Sequence, residues 1–502
     1  MSSISEIALD VNVHELDAPP KDKSYKDQDT GLVDFNRRVC YVHDANAVVK
    51  LSNFRMMTPS EFMNGSYVNW SYEYTYTPPA KDGIEGKPEK RTRPIASEWF
   101  KHKSRLERET MSYVPGKGRF EIPGVLNRWR GFACKPIQGD IDPWNELLDF
   151  LFENAPEERA YLERWLAYPI RFPGAKLKTA IVMHSRRQGV GKSILFEAVQ
   201  NIYGVNAVEI SDRDLEGNFN SWQSDKQFVL GDEISGGGEN KRKVANRLKL
   251  LITSPTVSVN EKFQKAYRIP NVANFVFLSN DDDPIYIPAD VDDDRRFWVW
   301  EVPQDKPLPQ DFYARFKAWK NSKEGTAALH NHFLHLELGD FKPDASAPST
   351  RAKQNMAELN KSDLERWVSE LKASAETPLL YTLQDLTEKY ESDRSGRNVE
   401  GKVMLKALGS AKLKQANNGV QVRVNGKSPT LWIVAADPNS PEAKKLQDKS
   451  EEPKALAALY KAQSEQRRIS GLPWLKHADA DLSGCQGTVR VTENNPDTTK
   501  VN

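Results

Sequence analysis

Residues 179–204 read TAIVMHSRRQGVGKSILFEAVQNIYG. Thr179–Met183 is an apolar run of strand length, and His184–Gly191 is a turn-rich loop. From Ser193 the apolar residues Ile194, Leu195, Ala198 and Val199 recur at helical spacing. A strand, a glycine loop and GKS at the head of a helix form the context in which successive backbone N–H groups wrap phosphates. The helix start adds a field that favours negative charge. On this reading Gln188, Gly189, Val190, Gly191, Lys192, Ser193 and Ile194 form the cradle. Lys192 reaches the terminal phosphates, and Ser193 offers its hydroxyl to Mg²⁺. The full pattern G-x-x-x-x-G-K-[ST] asks for its first glycine at position 186, where this chain has Arg186.

The next elements extend the argument. In KQFVLGDEI, Phe228–Leu230 is a short apolar strand that delivers Asp232 and Glu233 at its end. Catalytic groups of such sheets gather at the carboxyl ends of strands. Asp232 can hold a Mg²⁺-bound water, and Glu233 can polarise the attacking water. An exposed acidic turn is the plainer reading, but it leaves the apolar lead-in unexplained. A third strand, NFVFLSN (274–280), ends in Asn280, a neutral side chain able to orient water or touch a γ-phosphate. Beyond it, DVDDDRRFWVW carries Arg295 and Arg296 ahead of another apolar strand. They are either a salt-bridged surface or a finger that projects into a neighbour's site. Residues 179–303 thus predict an α/β domain around a buried, mainly parallel sheet. Within it, NKRKVANRLKLLI is a basic amphipathic helix with Lys241, Arg242, Lys243, Arg247 and Lys249. TVSVNEKFQKAYRIPN follows as two strands around a turn bearing Lys262, Phe263 and Lys265. Such a tip is either an ordinary surface hairpin or a grip on phosphate and base.

With these elements in order, the chain resembles the superfamily 3 helicases, in particular the helicase part of phage, plasmid and large-virus primase–helicases. The matching residues run from WRGFACKPIQGD (129–140) through RRQGVGKS, FVLGDE, LKLLITSPTVSVNEKF and FVFLSN to DRRF. The resemblance implies an AAA+-like P-loop core and ATP with Mg²⁺ bound between the subunits of a homo-oligomeric ring, a hexamer. It also implies a DNA-gripping role for Lys262 and Lys265 and 3′ to 5′ movement on single-stranded DNA. The region before residue 125 shows no metal–carboxylate pattern of a primase. The leading expectation is therefore an ATP-dependent replicative DNA helicase of a phage, prophage or plasmid. The alternative is an ATP-assembled initiator that melts an origin without processive unwinding. A small-molecule P-loop kinase is disfavoured, because it has no use for the 241–265 segment.

Composition bounds the rest. The chain has 502 residues, enough for about three domains at ~150 residues each. Lys and Arg total 71 against 70 Asp and Glu, so nucleic-acid contact must come from local patches. Cys40, Cys134 and Cys485 are odd in number and far apart, which argues against a disulfide framework or a Cys-based zinc site. The start MSSISEIALDVNVHELDAPP has no apolar core of a secretory signal, and no run approaches the ~18 apolar residues of a membrane helix. A cytoplasmic protein is expected, in the bacterial host if the chain is of phage or plasmid origin.

Residues 1–30 read as disordered and 31–140 as an α+β region, a collar or DNA-binding module. There Trp70, Tyr72, Tyr74 and Tyr76 alternate with polar residues and share one strand face. That face is either packed in a sheet or a stacking platform for bases. A basic run follows with Lys87, Lys90, Arg91, Arg93, Lys101, Lys103, Arg105 and Arg108, a solvated surface or a phosphate-contacting loop. Residues 141–178 read as a helical lead-in broken at Pro156, and 304–360 as a helical connection. Residues 361–436 read as a winged-helix-like module of three helices and a hairpin with NGKS as its turn. The tail 437–502 reads as mostly disordered, with a helix at EEPKALAALYKAQSEQRR and an isolated anchor at Trp474, and as a whole it is a candidate contact for replication proteins.

Overall fold

The computed structural model describes residues 22–65, 67–80, 86–217, 219–235, 241–260, 267–288, 294–303, 307–394, 396–448 and 452–470. Its centre is a five-stranded sheet of β1 (Ala180–His184), β2 (Ala207–Ile210), β3 (Phe228–Gly231), β4 (Asn274–Ser279) and β5 (Phe297–Glu301). The strands lie in the order β2-β3-β4-β1-β5, and every neighbouring pair is parallel. Every residue of β1, β3 and β4 is buried, as expected of strands covered on both faces. The register pairs His184 with Ser279 and Ala180 with Phe297, so β1, β4 and β5 end together. From β1 the chain crosses to the far edge, returns through β3 and β4, and then passes β1 to add β5. The order reverses beside β1, and a crevice opens there at the carboxyl ends.

Helix α1 (Lys192–Tyr203) follows the glycine loop and buries Leu195, Phe196, Val199 and Ile202. The helices Asp142–Leu151 and Pro156–Arg171 form the expected lead-in and add Trp144, Leu147, Trp165 and Leu166 to the same core. Helix α2 (Lys241–Thr253) precedes a two-stranded antiparallel hairpin, Thr256–Val259 with Tyr267–Pro270. Not all of the basic face of α2 stays in solvent: Arg247 donates to the carbonyls of Leu215 and Gly217, and Lys241 pairs with Asp283. Helix α3 (Gln310–Asn321) begins the connection after β5.

The N-terminal region has its own core around Phe35, Phe62, Tyr67, Trp70 and Trp99. The disorder expected for residues 1–30 does not extend through them all. Lys23–Tyr25 pairs in parallel with Trp70–Tyr76, and a helix starts at Gln28, capped by Asp27. Tertiary contacts order this polar stretch, since Lys23 and Tyr25 both donate to Asp34, at 2.8 and 2.5 Å. The tyrosine face divides in two. Trp70 and Tyr72 are buried, whereas the rings of Tyr74 and Tyr76 carry the guanidinium groups of Arg93 at 4.4 Å and Arg91 at 3.9 Å. The arginines occupy the ring faces that a base would need, so the packed reading fits better than a stacking platform. The basic run is not one loop either. It passes through an exposed edge strand, Glu89–Pro94, and then a helix, Ile95–Lys101.

The chain divides into two compact units, one through Ile287 with Asp294–Met356, the other Pro288–Asp293 with the chain from Ala357. The second unit runs helix Asp363–Ala373, strand Leu379–Thr382, helices Leu383–Asp393 and Gly401–Ser410, then strands Lys414–Gln415 and Leu431–Val434. The strand at 379–382, absent from the sequence reading, pairs with 431–434, which also pairs with 414–415. The expected hairpin shrinks to one bridge, Val424 with Lys427. Asn425 and Gly426 turn it with φ of 48° and 78°, as a type I′ turn needs. In the tail, the helix expected at EEPKALAALYKAQSEQRR is present as Pro453–Ser470, and a further helix, Pro441–Gln447, forms where disorder was expected. Leu456 and Tyr460 bury themselves against Leu380 and Ile433, an apolar partner no local pattern announces. Trp474 lies outside the described residues.

Asp294, fully buried, accepts from the backbone N–H of Arg296 and Phe297, both at 3.0 Å, and lies 3.6 Å from the Lys353 ammonium. Lys353→Met would leave a buried carboxylate short of a cation. A loss of about 3 kcal/mol is expected in denaturant melts of the full chain; a change under about 0.5 kcal/mol would contradict the pairing.

Candidate nucleotide-binding cleft

The loop between β1 and α1 is shaped by its glycines. Gly189 has φ +76° and Gly191 φ +102°, a region that side chains disfavour. A Cβ on Gly191 would also stand 2.9 Å from Leu147 Cδ1. Arg186 is not among the residues with positive φ, so the position where the motif asks for glycine does not need one here. Its guanidinium reaches both carboxylate oxygens of Asp282 at 3.0 Å and ties the loop to the segment after β4. Gly191→Ala should lower nucleotide affinity about tenfold, because the left-handed backbone alone costs about 1–2 kcal/mol with a side chain. Titration with a fluorescent nucleotide measures it, and unchanged affinity would remove the loop from the site.

Gly191 is the N-cap of α1 and supplies no side-chain cap, so the first N–H groups of the helix face the cleft available to an acceptor. Lys192 is 6% exposed. Its ammonium lies 3.0 Å from Asn280 Oδ1 and also donates to Ser185 Oγ. Burial lowers its pKa to about 8, and the Asp232 carboxylate pulls in the opposite direction. This is a cation held largely by neutral oxygens, poised for an anionic ligand. Asp232 and Glu233 follow β3 directly. Glu233 is exposed and sits at φ +53°, costly for a residue with a side chain. Its N–H donates to Asp232 Oδ1 at 3.0 Å, and the N–H of Ile234 to Leu278 O at 2.9 Å, which pins the turn to β4.

Together these groups line a cleft of about 540 Å³. All seven residues from Gln188 to Ile194 face it, with Asp232, Glu233, Ser279 and Asn280. The opposite wall, Pro307, Leu308, Gln310 and Tyr313, is absent from the sequence reading. Tyr313 accepts the Leu308 N–H at 3.1 Å and gives the cleft an aromatic side; a tyrosine on an amphipathic helix carries no signal of that role. The Ser193 hydroxyl and the Asp232 carboxylate are the residues that would hold a cation here. Among the described residues there is no group of three or more His, Cys, Asp or Glu that could hold a metal ion. A Mg²⁺ would thus complete its shell with phosphate oxygens and water.

Arg295 and Arg296 are not in this cleft. They precede β5 at the amino end of the sheet, while the loop leaves β1 at the carboxyl end. Arg296 is partly committed, with its guanidinium 3.7 Å from Asp294; Arg295 is exposed. Lys262, Phe263 and Lys265 lie outside the described residues.

Comparison with known proteins adds family relations. A model described as a family of unknown function, DUF5906, matches residues 183–296. A stretch of 200 residues is 32% identical to the DNA primase-polymerase of Nitratiruptor phage NrS-1, covering 38% of this chain and 27% of that protein. Over that stretch the two are homologous, and it spans about a quarter of the relative. The apo C-terminal region of NrS-1, residues 305–718, matches with a TM-score of 0.55 at 18% identity, over 79% of this chain and 95% of that one. An A-form apo structure of the same region gives 0.50 at 17% identity, over 69% and 92%. At such identities the structural match speaks for the fold alone. No described helix is long and apolar enough to cross a membrane.

Proposed function

We propose that this chain is the motor of a phage-type DNA replication apparatus: a P-loop ATPase with an AAA+-like core that drives a ring along single-stranded DNA. The observation that carries this reading is the convergence of Lys192, Asn280, Asp232 and Glu233 on an uncapped helix start in one cleft. The homology to a phage primase-polymerase supports the setting, and the host cytoplasm would be the place of work. The Gln188–Ile194 backbone would hold the phosphates, Lys192 would neutralise their charge, and Leu308 and Tyr313 would flank the base. Glu233 would take the proton of the attacking water, which Asn280 would orient. Mg²⁺ bound with ATP would supply charge neutralisation at the β- and γ-phosphate oxygens. Arg295 or Arg296 would come from the next subunit of a hexameric ring. Lys262, Phe263 and Lys265 would grip the strand, and the winged-helix-like second unit would add a contact to replication partners or duplex DNA.

The test is ATP turnover with and without single-stranded DNA, beside displacement of a labelled strand from a fork. DNA-stimulated turnover with displacement is expected. DNA-stimulated turnover without displacement favours the ATP-assembled initiator, and turnover indifferent to DNA overturns both.

A further inference from the structure

A second pocket, of about 420 Å³, lies at the opposite end of the sheet from the Lys192 cleft. Met111–Tyr113 with Arg128, the turn Gln223–Lys226 ahead of β3, and the stretch from Tyr267 to Val272 ahead of β4 build most of it, with Met56 beside them. We infer that it holds one unstacked nucleotide of the single strand, an assignment that rests on the DNA-binding reading above.

The chemistry of the walls points to a base with its phosphate. Gln223 is 5% exposed, and among the described residues its Nε2 has no hydrogen-bond partner. Buried primary amides are seldom left so, and a base carbonyl would satisfy it. Tyr113 and Tyr267 offer aromatic surface; the Tyr113 hydroxyl is already turned to Asn206 Oδ1 at 2.9 Å, which fixes its ring. The charge is one-sided. Arg128 is neutralised by Asp225 at 2.7 Å. Lys226 donates to Val205 O at 2.5 Å and shares the Asp225 carboxylate with Arg128. Arg268 is exposed at the rim. Three cations therefore face one carboxylate, and the surplus suits a phosphate.

The pocket is also joined to the hairpin. Asn220 donates from Nδ2 to Ser258 O at 2.7 Å and accepts the Asn260 N–H on Oδ1 at 2.7 Å. It clamps the first hairpin strand to the segment that carries Gln223 and Lys226. The second strand brings Tyr267 and Arg268 to the rim. A free mononucleotide carries the same chemistry; the bond to the hairpin is the reason to assign a nucleotide within a strand.

The experiment uses the full chain and a fluorescein-labelled oligothymidylate, with anisotropy read across a salt series. Arg268→Ala should weaken binding several-fold and lower the salt slope by about 0.7, the value for one phosphate contact on a single strand. Gln223→Leu should weaken binding several-fold with the slope unchanged, because it removes a neutral donor. Thermal melting separates a folding defect from a lost contact, and Arg268, being exposed, serves should Gln223→Leu fail to fold. An oligonucleotide with a single 5-iodouracil should photocrosslink to Tyr113 or Tyr267. Thymidine monophosphate at millimolar concentration should leave both binding and crosslink in place. If it abolishes them, the pocket belongs to a free nucleotide and the inference falls. It falls alone if the wild type binds the strand, both variants match it, and crosslinks map elsewhere. A wild type that does not bind the oligonucleotide overturns this inference together with the DNA-binding reading.

Discussion

Lys192→Ala should abolish both nucleotide binding and turnover, whereas Glu233→Gln should bind ATP normally and lose hydrolysis by about 10²–10⁴-fold. The two differ because the side chains do different things in one cleft. Lys192 is 6% exposed and linked to Asn280 Oδ1 at 3.0 Å. Removing it takes away the buried cation of the cleft and the partner of Asn280 together. Glu233 is exposed at the end of its turn, where its carboxylate supports little of the fold. An amide of the same shape preserves the turn and cannot accept the proton of water. Equilibrium binding of a fluorescent ATP analogue, read beside phosphate release, measures both effects. ATP-dependent assembly should survive in the glutamate variant alone. Equal loss of nucleotide binding in the two variants would sink the division of roles.

The second large effect concerns the arginine pair. Removing a finger arginine costs on the order of 10³-fold or more in related phosphoryl-transfer sites, and Arg295→Ala should show a loss of that size. Arg296→Ala should act through stability, because its guanidinium lies 3.7 Å from the buried Asp294. Geometry also says whose site Arg295 can serve. Its strand is parallel to β1, in register from Ala180–Phe297 to His184–Glu301. Five residues at about 3.3 Å each put the pair roughly 15 Å from its own loop. Only a neighbouring chain could bring it to a cleft. Lys192→Ala and Arg295→Ala rings should each be inactive, and co-expressed mixed rings should regain turnover at interfaces that pair an intact lysine with an intact arginine. Full activity of Arg295→Ala alone would end the assignment. Silent mixed rings, together with a steep loss at low doping of mutant subunits, would point to coupling around the whole ring.

The local grammar of the chain announced β1, the glycine loop and α1, because periodicity and glycine backbone freedom reside in contiguous residues. It likewise placed Asp232, Glu233 and Asn280 at the ends of buried strands, since an apolar run followed by a polar residue is visible without any partner. What folding added is long-range. Pro307, Leu308 and Tyr313 became a wall of the cleft only by packing across from Gly191, and nothing in their own sequence marks that contact. Arg295 and Arg296 are equivalent neighbours in the chain; Asp294, buried with Lys353 from a later helix, separates them. Lys23–Tyr25 looks solvated by composition and is ordered by Asp34, and the helix expected near 451–468 finds its packing partners, Leu380 and Ile433, far along the chain. Pattern and propensity are properties of neighbours along the chain, whereas burial, ion pairing and the meeting of distant segments around Gln223 depend on residues that the chain brings together only when it folds.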